Sequence, residues 1–197
     1  MFKAMNISKV VLASASPRRV ALLKQIEIDC VVMPADIDEV ALPNESPSDY
    51  VLRLAAQKAQ AIVKKSLNAT LPILAADTTV ALGELILGKP ENAEAAFNML
   101  KQLSGTTHQV HTAIAVAFNG KLETMLSSTL VEMMPLTDAM INDYIASGEP
   151  MDKAGSYAIQ GLAGCWIQKI TGSYTGVMGL PIYETSLLLQ KMVIEKV

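Results

Sequence analysis

Residues 71–82, LPILAADTTVAL, constrain the fold more than any other stretch of this chain. They are apolar on both alternations, so a strand built from them needs cover on both faces. Such a strand belongs in the middle of a sheet with helices packed against it, which is the α/β class. One residue breaks the pattern. Asp77, between Ala76 and Thr78, places a carboxylate in a buried strand, where it must be paired, metal-bound or catalytic. Gly83-Glu84 then turns the chain into a short return strand, 85–87, and Gly88-Lys89-Pro90 closes the hairpin with a cation at its exit.

A second constraint lies upstream, in residues 10–19, VVLASASPRR. Val10 to Leu12 read as a short buried strand, followed by the small residues Ala13-Ser14-Ala15-Ser16. Val20, Leu22, Leu23 and Ile26 recur at helical spacing, with Pro17 suited to the first helical position and Ser16 to the cap. A strand, a loop of small residues and a helix N-terminus flanked by Arg18 and Arg19 suit an anion: free backbone N–H groups, hydroxyls and forked cationic donors converge there. An ordinary capped helix with surface arginines accounts for the same ten residues, and on those ten alone both readings stay open.

At 197 residues the chain is expected to form one domain, 1–197, with a real core, and its 51% hydrophobic content excludes disorder. No apolar run is long enough to span a bilayer, and residues 1–15 lack the apolar core and cleavage pattern of a signal peptide, so the expectation is a cytoplasmic protein without a membrane partner. A net charge of −3 gives no global attraction to nucleic acid. Cys30 and Cys165 sit in apolar surroundings and are expected as reduced core residues. His108 and His111 are three residues apart, on opposite faces of a strand, and do not serve one metal together. Any metal here is therefore a hard cation held by carboxylates.

The remaining chain reads as alternating elements. A second short strand is expected at 29–33 (DCVVM), taken as buried, then the acidic loop Asp36-Ile37-Asp38-Glu39. That loop is either a solvated run of charge or one edge of a cleft. Ser46-Pro47-Ser48-Asp49 starts a helix running to about Ser66, with Val51, Leu54, Ala55 and Ile62 as its apolar stripe. Lys58 falls inside that stripe, so it either snorkels to the surface or points into a cleft that needs positive charge. Asn92 caps a third helix with stripe Ala96, Met99, Leu100 and Leu103. Two long strands, 106–119 and 121–135, meet at Asn119-Gly120. Thr137 caps a fourth helix with stripe Met140, Ile141, Tyr144 and Ile145. A glycine-rich loop, 148–164, carries Asp152, Lys153, Tyr157 and Gln160; a strand at about 165–170, the loop 172–179 and a final helix opened by Pro181, with Leu187, Leu188 and Met192 apolar, complete the chain.

The charged residues out of place are Arg18/Arg19, Asp38/Glu39, Lys58, Asp77 and Lys89. Cations on a loop of small residues, with separated carboxylates, suit a phosphorylated substrate and a divalent metal. The chain has no G-x-x-x-x-G-K-[ST], no G-x-G-x-x-G after a strand and no G-x-S-x-G, which argues against P-loop ATPases, Rossmann dehydrogenases and serine hydrolases. Spacing and composition lead to an α/β enzyme acting on a phosphate ester or anhydride.

Seven motifs go further. LASASPRR (12–19), DIDE (36–39), RLAAQKA (53–59), AADTTV (75–80), ILGKP (86–90), DKAGSYAIQG (152–161) and GSYTGVMGLP (172–181) together resemble the Maf family of house-cleaning nucleoside triphosphate pyrophosphatases, once named for an effect on septum formation. The resemblance runs nearly end to end. It implies the fold of inosine triphosphate pyrophosphatases: a long mixed β-sheet with flanking helices forming two lobes around a central cleft. It also implies cleavage between the α- and β-phosphates with Mg²⁺ or Mn²⁺ as cofactor, and a homodimer as the assembly the family often forms. Carried across motif by motif, Asp77 is the proton acceptor for the attacking water, and Glu39 and Asp77 are the acids next to the metal. Ser14, Arg19, Lys58 and Lys89 are contacts to the triphosphate.

The resemblance also reaches a subgroup. Arg18, Thr78 and Gln160 match the pyrimidine branch, which acts on dTTP and UTP, whereas the branch preferring 7-methyl-GTP typically has Asp-Gln in place of Asp-Thr. A glutamine amide offers one donor and one acceptor to the O4/N3–H edge of thymine or uracil. Thr79 and Trp166 depart from the usual residues in ways that read as packing changes. The activity implied is that of a nucleoside triphosphate diphosphatase on dTTP, UTP and modified pyrimidine triphosphates; a nucleotide-binding regulator of cell division with little turnover, or a 7-methyl-GTP pyrophosphatase, are the alternatives.

Overall fold

The structure is a computed structural model that describes residues 7–65 and 70–194. In chain order its elements are β1 (Lys9–Leu12), α1 (Pro17–Gln25), β2 (Asp29–Val32), α2 (Pro47–Lys65), β3 (Ile73–Leu82), β4 (Leu85–Leu87) and α3 (Ala93–Leu103). They continue as β5 (Thr107–Phe118), β6 (Lys121–Met133), α4 (Asp138–Ala146), β7 (Ile167–Thr171), α5 (Tyr174–Val177) and α6 (Ile182–Ile194), with three short 3-10 turns between α4 and β7. Ser66, the expected end of the second helix, lies outside the described residues. No helix among the described residues is long and apolar enough to cross a membrane.

β3 lies inside a seven-stranded mixed sheet of order β2-β1-β3-β5-β6-β7, with β4 paired to β3 off that path. β1 runs parallel to both β2 and β3, while β3, β5, β6 and β7 pair antiparallel in succession. Alternation along β3 assigns its residues to two covers. Leu74 and Ala76 pack with Leu22, Leu23, Leu188 and Leu189 from α1 and α6. Ile73 and Ala75 pack with Val51, Ala55, Ala59 and Ile62 from α2. The α2 side of the sheet is floored by alanines, Ala75, Ala113, Ala115 and Ala117, which let this nineteen-residue helix approach closely. Each buried Val, Leu or Ile of that stripe contributes about 1.5–3 kcal/mol of hydrophobic stabilisation.

A gap in the strand pairing creates the site. β1 pairs with β3 only at Ile73 and Leu74, and β4 pairs with it only from Val80 to Leu82. Between those two ladders, among the described residues, β3 has no strand neighbour on that edge, and Asp77 and Thr78 sit there. A cleft at that gap is reached from both faces of the sheet, so neighbouring residues that point to opposite sides can serve it together.

Local signals explain the element ends. Ser46 Oγ accepts from the Asp49 N–H at 3.2 Å and donates to the Asp49 carboxylate at 2.7 Å, so the expected cap of α2 forms. Asn92 and Thr137 cap α3 and α4 through the Ala95 and Met140 N–H groups. Ser16 stands at the cap position of α1, but its side chain makes no cap hydrogen bond.

Several expectations are corrected. Cys165 is exposed on the turn Leu162–Trp166, off the sheet, and Cys30 packs against the core from the edge strand β2 and is only half-buried. The strand expected at 165–170 begins at Ile167, the preceding residues being taken up by that turn. β2 is an edge strand, with Val31 and Val32 exposed. In α6 the buried face is Leu188, Leu189 and Met192, while Leu187 turns outward at the next 100° step.

Candidate active site

Ser14, Arg18, Arg19, Glu39, Lys58, Asp77, Thr78, Lys89 and Gln160 all line one cleft of about 540 Å³. They come from six separate segments, and the gap beside β3 is where those segments meet. The acid at its centre is Asp77, whose side chain is 8% exposed. Lys58 Nζ donates to Asp77 Oδ1 at 2.6 Å and lies 2.6 Å from Glu39 Oε1. Of the two readings of Lys58, the structure shows the cleft: the side chain is 10% exposed and reaches two carboxylates, not the surface. Its partners are those acids.

Burial pushes the Asp77 carboxyl above the ordinary aspartate range, with the Lys58 charge and hydrogen bond, and Arg19, pulling against it. Glu39 is less enclosed. Burial raises its carboxyl too, but the bond and charge of Lys58, with Lys89 and Arg19 behind them, bring it below the usual value. The two acids are therefore held on opposite sides of their normal range, a separation that suits one to taking up a proton and the other to staying charged.

On the other side of β3, Arg19 is fixed by three bonds. Nε donates to the Gly179 carbonyl at 2.7 Å, Nη1 to Ser14 Oγ at 2.9 Å and Nη2 to Thr78 Oγ1 at 3.3 Å. Thr112 from β5 lies 2.9 Å from Thr78 Oγ1 and 2.8 Å from the Gly176 carbonyl, which joins the 172–179 loop to the sheet. Burial lowers the affinity of Arg19 for its proton and Asp77 opposes that; a guanidinium stays charged regardless. Ser14 also accepts from the Ser16 N–H at 3.2 Å, which closes the loop ahead of α1. With the Ser16 side chain making no cap, the first turn of α1 faces the cleft with its positive end open, which favours the anion reading of this stretch.

Arg18 reaches across to Asp152 at 3.8 Å, and Lys153 pairs with the same carboxylate. Lys89 lines the cleft at the end of the hairpin, where the Gly88 carbonyl accepts from the Gly155 N–H at 3.0 Å. The acidic loop divides: Glu39 enters the cleft, while Asp38 turns away and accepts from the Val40 N–H. His108 and His111 do not meet, the first bonding to Tyr157 OH and the second to Ser128 Oγ, each at 2.8 Å.

Three residues that position Glu39 escape a reading of the sequence alone. Arg53 holds Glu45 with two bonds, 2.5 and 2.6 Å, and donates to the Val40 carbonyl at 3.1 Å. Tyr50 OH donates to the Glu39 carbonyl at 2.9 Å. Together they bind the 39–45 loop to α2. Helical spacing shows Tyr50 and Arg53 sharing a face of that helix, but nothing in the pattern shows that the acidic loop folds onto it.

A mixed sheet interrupted beside its central strand, with a buried carboxylate paired to an ammonium and an arginine at a helix N-terminus, defines an α/β protein whose cleft sets cationic side chains next to a buried acid. The family model described as Maf-like protein matches residues 9–192, and the chain belongs to that family. A protein of Methylobacillus flagellatus named dTTP/UTP pyrophosphatase is 51% identical over 185 residues, covering 94% of this chain and 93% of that one. A dTTP/UTP pyrophosphatase of Pseudoalteromonas atlantica is 49% identical over 185 residues, covering 93% and 96%. A nucleoside triphosphate pyrophosphatase of Haemophilus ducreyi is 49% identical over 190 residues, covering 95% and 96%.

Proposed function

We propose that this chain hydrolyses dTTP and UTP to the nucleoside monophosphate and pyrophosphate. The observation that carries the reading is the buried Asp77 carboxylate, 2.6 Å from Lys58, in a cleft whose other walls present Arg18, Arg19 and Lys89. Relatives of about half identity named for this activity support the substrate class. Water attacks the α-phosphorus, its proton passes to Asp77, the bond from that phosphorus to the bridging oxygen breaks, and pyrophosphate leaves with the electron pair. A carboxyl lifted above its usual range is a stronger proton acceptor than an exposed one, and general base catalysis of this kind is worth about 10²–10⁴-fold.

Arg19, braced by Ser14, Thr78 and the Gly179 carbonyl, presents its guanidinium in one orientation, as bidentate recognition of phosphate requires. Lys89 adds charge from the hairpin, and Lys58 links the phosphate side of the cleft to the acids. Arg18, Thr78 and Gln160 select the pyrimidine, modified pyrimidines included. Asp77 and Glu39 fit a hard divalent cation such as Mg²⁺ or Mn²⁺: both are oxygen donors, and both already converge on a single positive charge. When bound, such a cation neutralises phosphate charge and makes water more acidic.

Asp77→Asn keeps the shape and removes the proton acceptor. Turnover of dTTP, followed by release of pyrophosphate as distinct from orthophosphate, is expected to fall by about 10²–10⁴-fold while dTTP still binds. Retained turnover sinks the assignment of Asp77, and a wild-type chain that binds dTTP without cleaving it returns the reading to a nucleotide-binding regulator.

A further inference from the structure

Gln160 reaches the cleft from a segment between two 3-10 turns, Ala154–Ser156 and Leu162–Trp166. Its own side chain is exposed, so its place is set by the backbone on either side. Two side chains grip that backbone. Tyr144 OH accepts from the Ala158 N–H at 3.3 Å and donates to Glu149 Oε1 at 2.8 Å. The second oxygen of Glu149 accepts from the Leu162 N–H at 3.1 Å. Between those two anchors the Gly161 N–H closes a turn onto the Ala158 carbonyl. A Cβ at Gly161 would collide with Glu149 Oε1, so the carboxylate lies directly against bare backbone next to Gln160. Tyr144 cannot drift: it is buried, and its ring meets Trp166 edge-on at 4.9 Å between centroids. Burial, with the bond to Glu149 behind it, pushes the Tyr144 hydroxyl well above the usual tyrosine range and keeps it a donor.

We propose that Tyr144 and Glu149 are positioning residues for base selection, clamping the 158–162 segment so that the Gln160 amide meets the edge of the pyrimidine. The inference rests on the dTTP/UTP reading above. Neither residue lines the cleft, so neither can act on the phosphates directly. Arg19 is braced instead by Ser14, Thr78 and Gly179, on other segments. Loosening the clamp therefore changes which base is held and leaves the cleavage step in place.

Steady-state kinetics of Glu149→Ala and Tyr144→Phe on dTTP, UTP and GTP test this, with thermal melts to show that each variant is folded. Tyr144→Phe keeps the ring packed on Trp166 and removes only the hydroxyl link. The expected result is a KM for dTTP and UTP raised about tenfold, the scale of one or two lost hydrogen bonds, with kcat within about twofold and GTP unaffected. In a Gln160→Ala background, Glu149→Ala adds no further loss of discrimination. An equal loss on all three nucleotides, or a preference left intact in both variants, overturns the clamp. If Gln160→Ala erases the preference while the clamp variants keep it, this inference alone fails. A wild-type chain with no preference for dTTP and UTP over GTP overturns the substrate reading and the clamp with it.

Discussion

Replacing Lys58 by Met removes a charge from the cleft and keeps most of the length of the stem, and the structure sets the cost. Nζ lies 2.6 Å from each of two carboxylates, but they lose unequally. Glu39, with a side chain 48% exposed, can return to water, whereas Asp77 at 8% cannot. Stripping a buried carboxylate of its partner costs about 3–5 kcal/mol when the charge stays. Protonation limits that loss: from the ordinary aspartate value of 3.8, taking up a proton at neutral pH costs about 4 kcal/mol, and Arg19 still offsets part of the remaining charge. We expect Lys58→Met to be destabilised by about 3 kcal/mol near neutral pH.

The dependence on pH follows from the same carboxyl. Burial already raises Asp77 in the wild type, with Lys58 opposing, so the variant carries it higher still. A native state that holds a proton more tightly than the unfolded chain loses stability as pH rises from the unfolded value through the folded one. The deficit of Lys58→Met is therefore small at about pH 4 and largest above neutrality. A carboxyl raised further takes up a proton at higher pH and is then no proton acceptor, so the acidic limb of the kcat–pH profile moves upward and turnover recovers toward alkaline pH. Urea titrations across that range and a kcat–pH profile read both effects. A deficit independent of pH, or an acidic limb that does not move upward, refutes the reasoning.

Two further substitutions test the scaffold. Glu45→Ala frees Arg53 and the loop that carries Glu39; stability is expected to fall by about 1–2 kcal/mol in urea titrations, with a severalfold drop in turnover of dTTP, because the pair is two-pronged and partly buried. Gly155→Ala places a methyl 2.8 Å from Val80 side-chain atoms at a φ of +66°, so a loss of about 2–4 kcal/mol in thermal or denaturant melts is expected from strain and overpacking together.

Much of the site was legible because its residues violate local pattern. Asp77 interrupts an apolar strand, Lys58 interrupts an apolar helical stripe, and Arg18 and Arg19 stand at a helix start behind small residues. Each anomaly is visible without knowing its partner. Elements with strong periodicity and cap residues were equally readable, as β3, β5, β6, α2 and α3 show. Weak local signals misled: Cys165 lies in apolar sequence yet on an exposed turn, and the apolar run of β2 forms an edge strand that is half open to solvent. A short apolar run records that a residue can be buried, not that the fold supplies a cover for it.

Tertiary structure decided what those anomalies do. The cleft exists because β1 and β4 pair with β3 at two separate places and leave the edge between them open, a long-range outcome that no local pattern states. Lys58 meets Asp77 and Glu39 because alanines in the sheet let α2 approach closely and because Arg53, Glu45 and Tyr50 fold the acidic loop back onto it. The Tyr144–Glu149 grip on the backbone beside Gln160 joins residues from a helix, a turn and a loop by side chain to backbone bonds. Local pattern settles where charge and hydrophobicity lie along the chain, since periodicity and capping act over a few residues. Which charges face each other depends on contacts between segments far apart in sequence, and those are made only when the sheet closes around its gap.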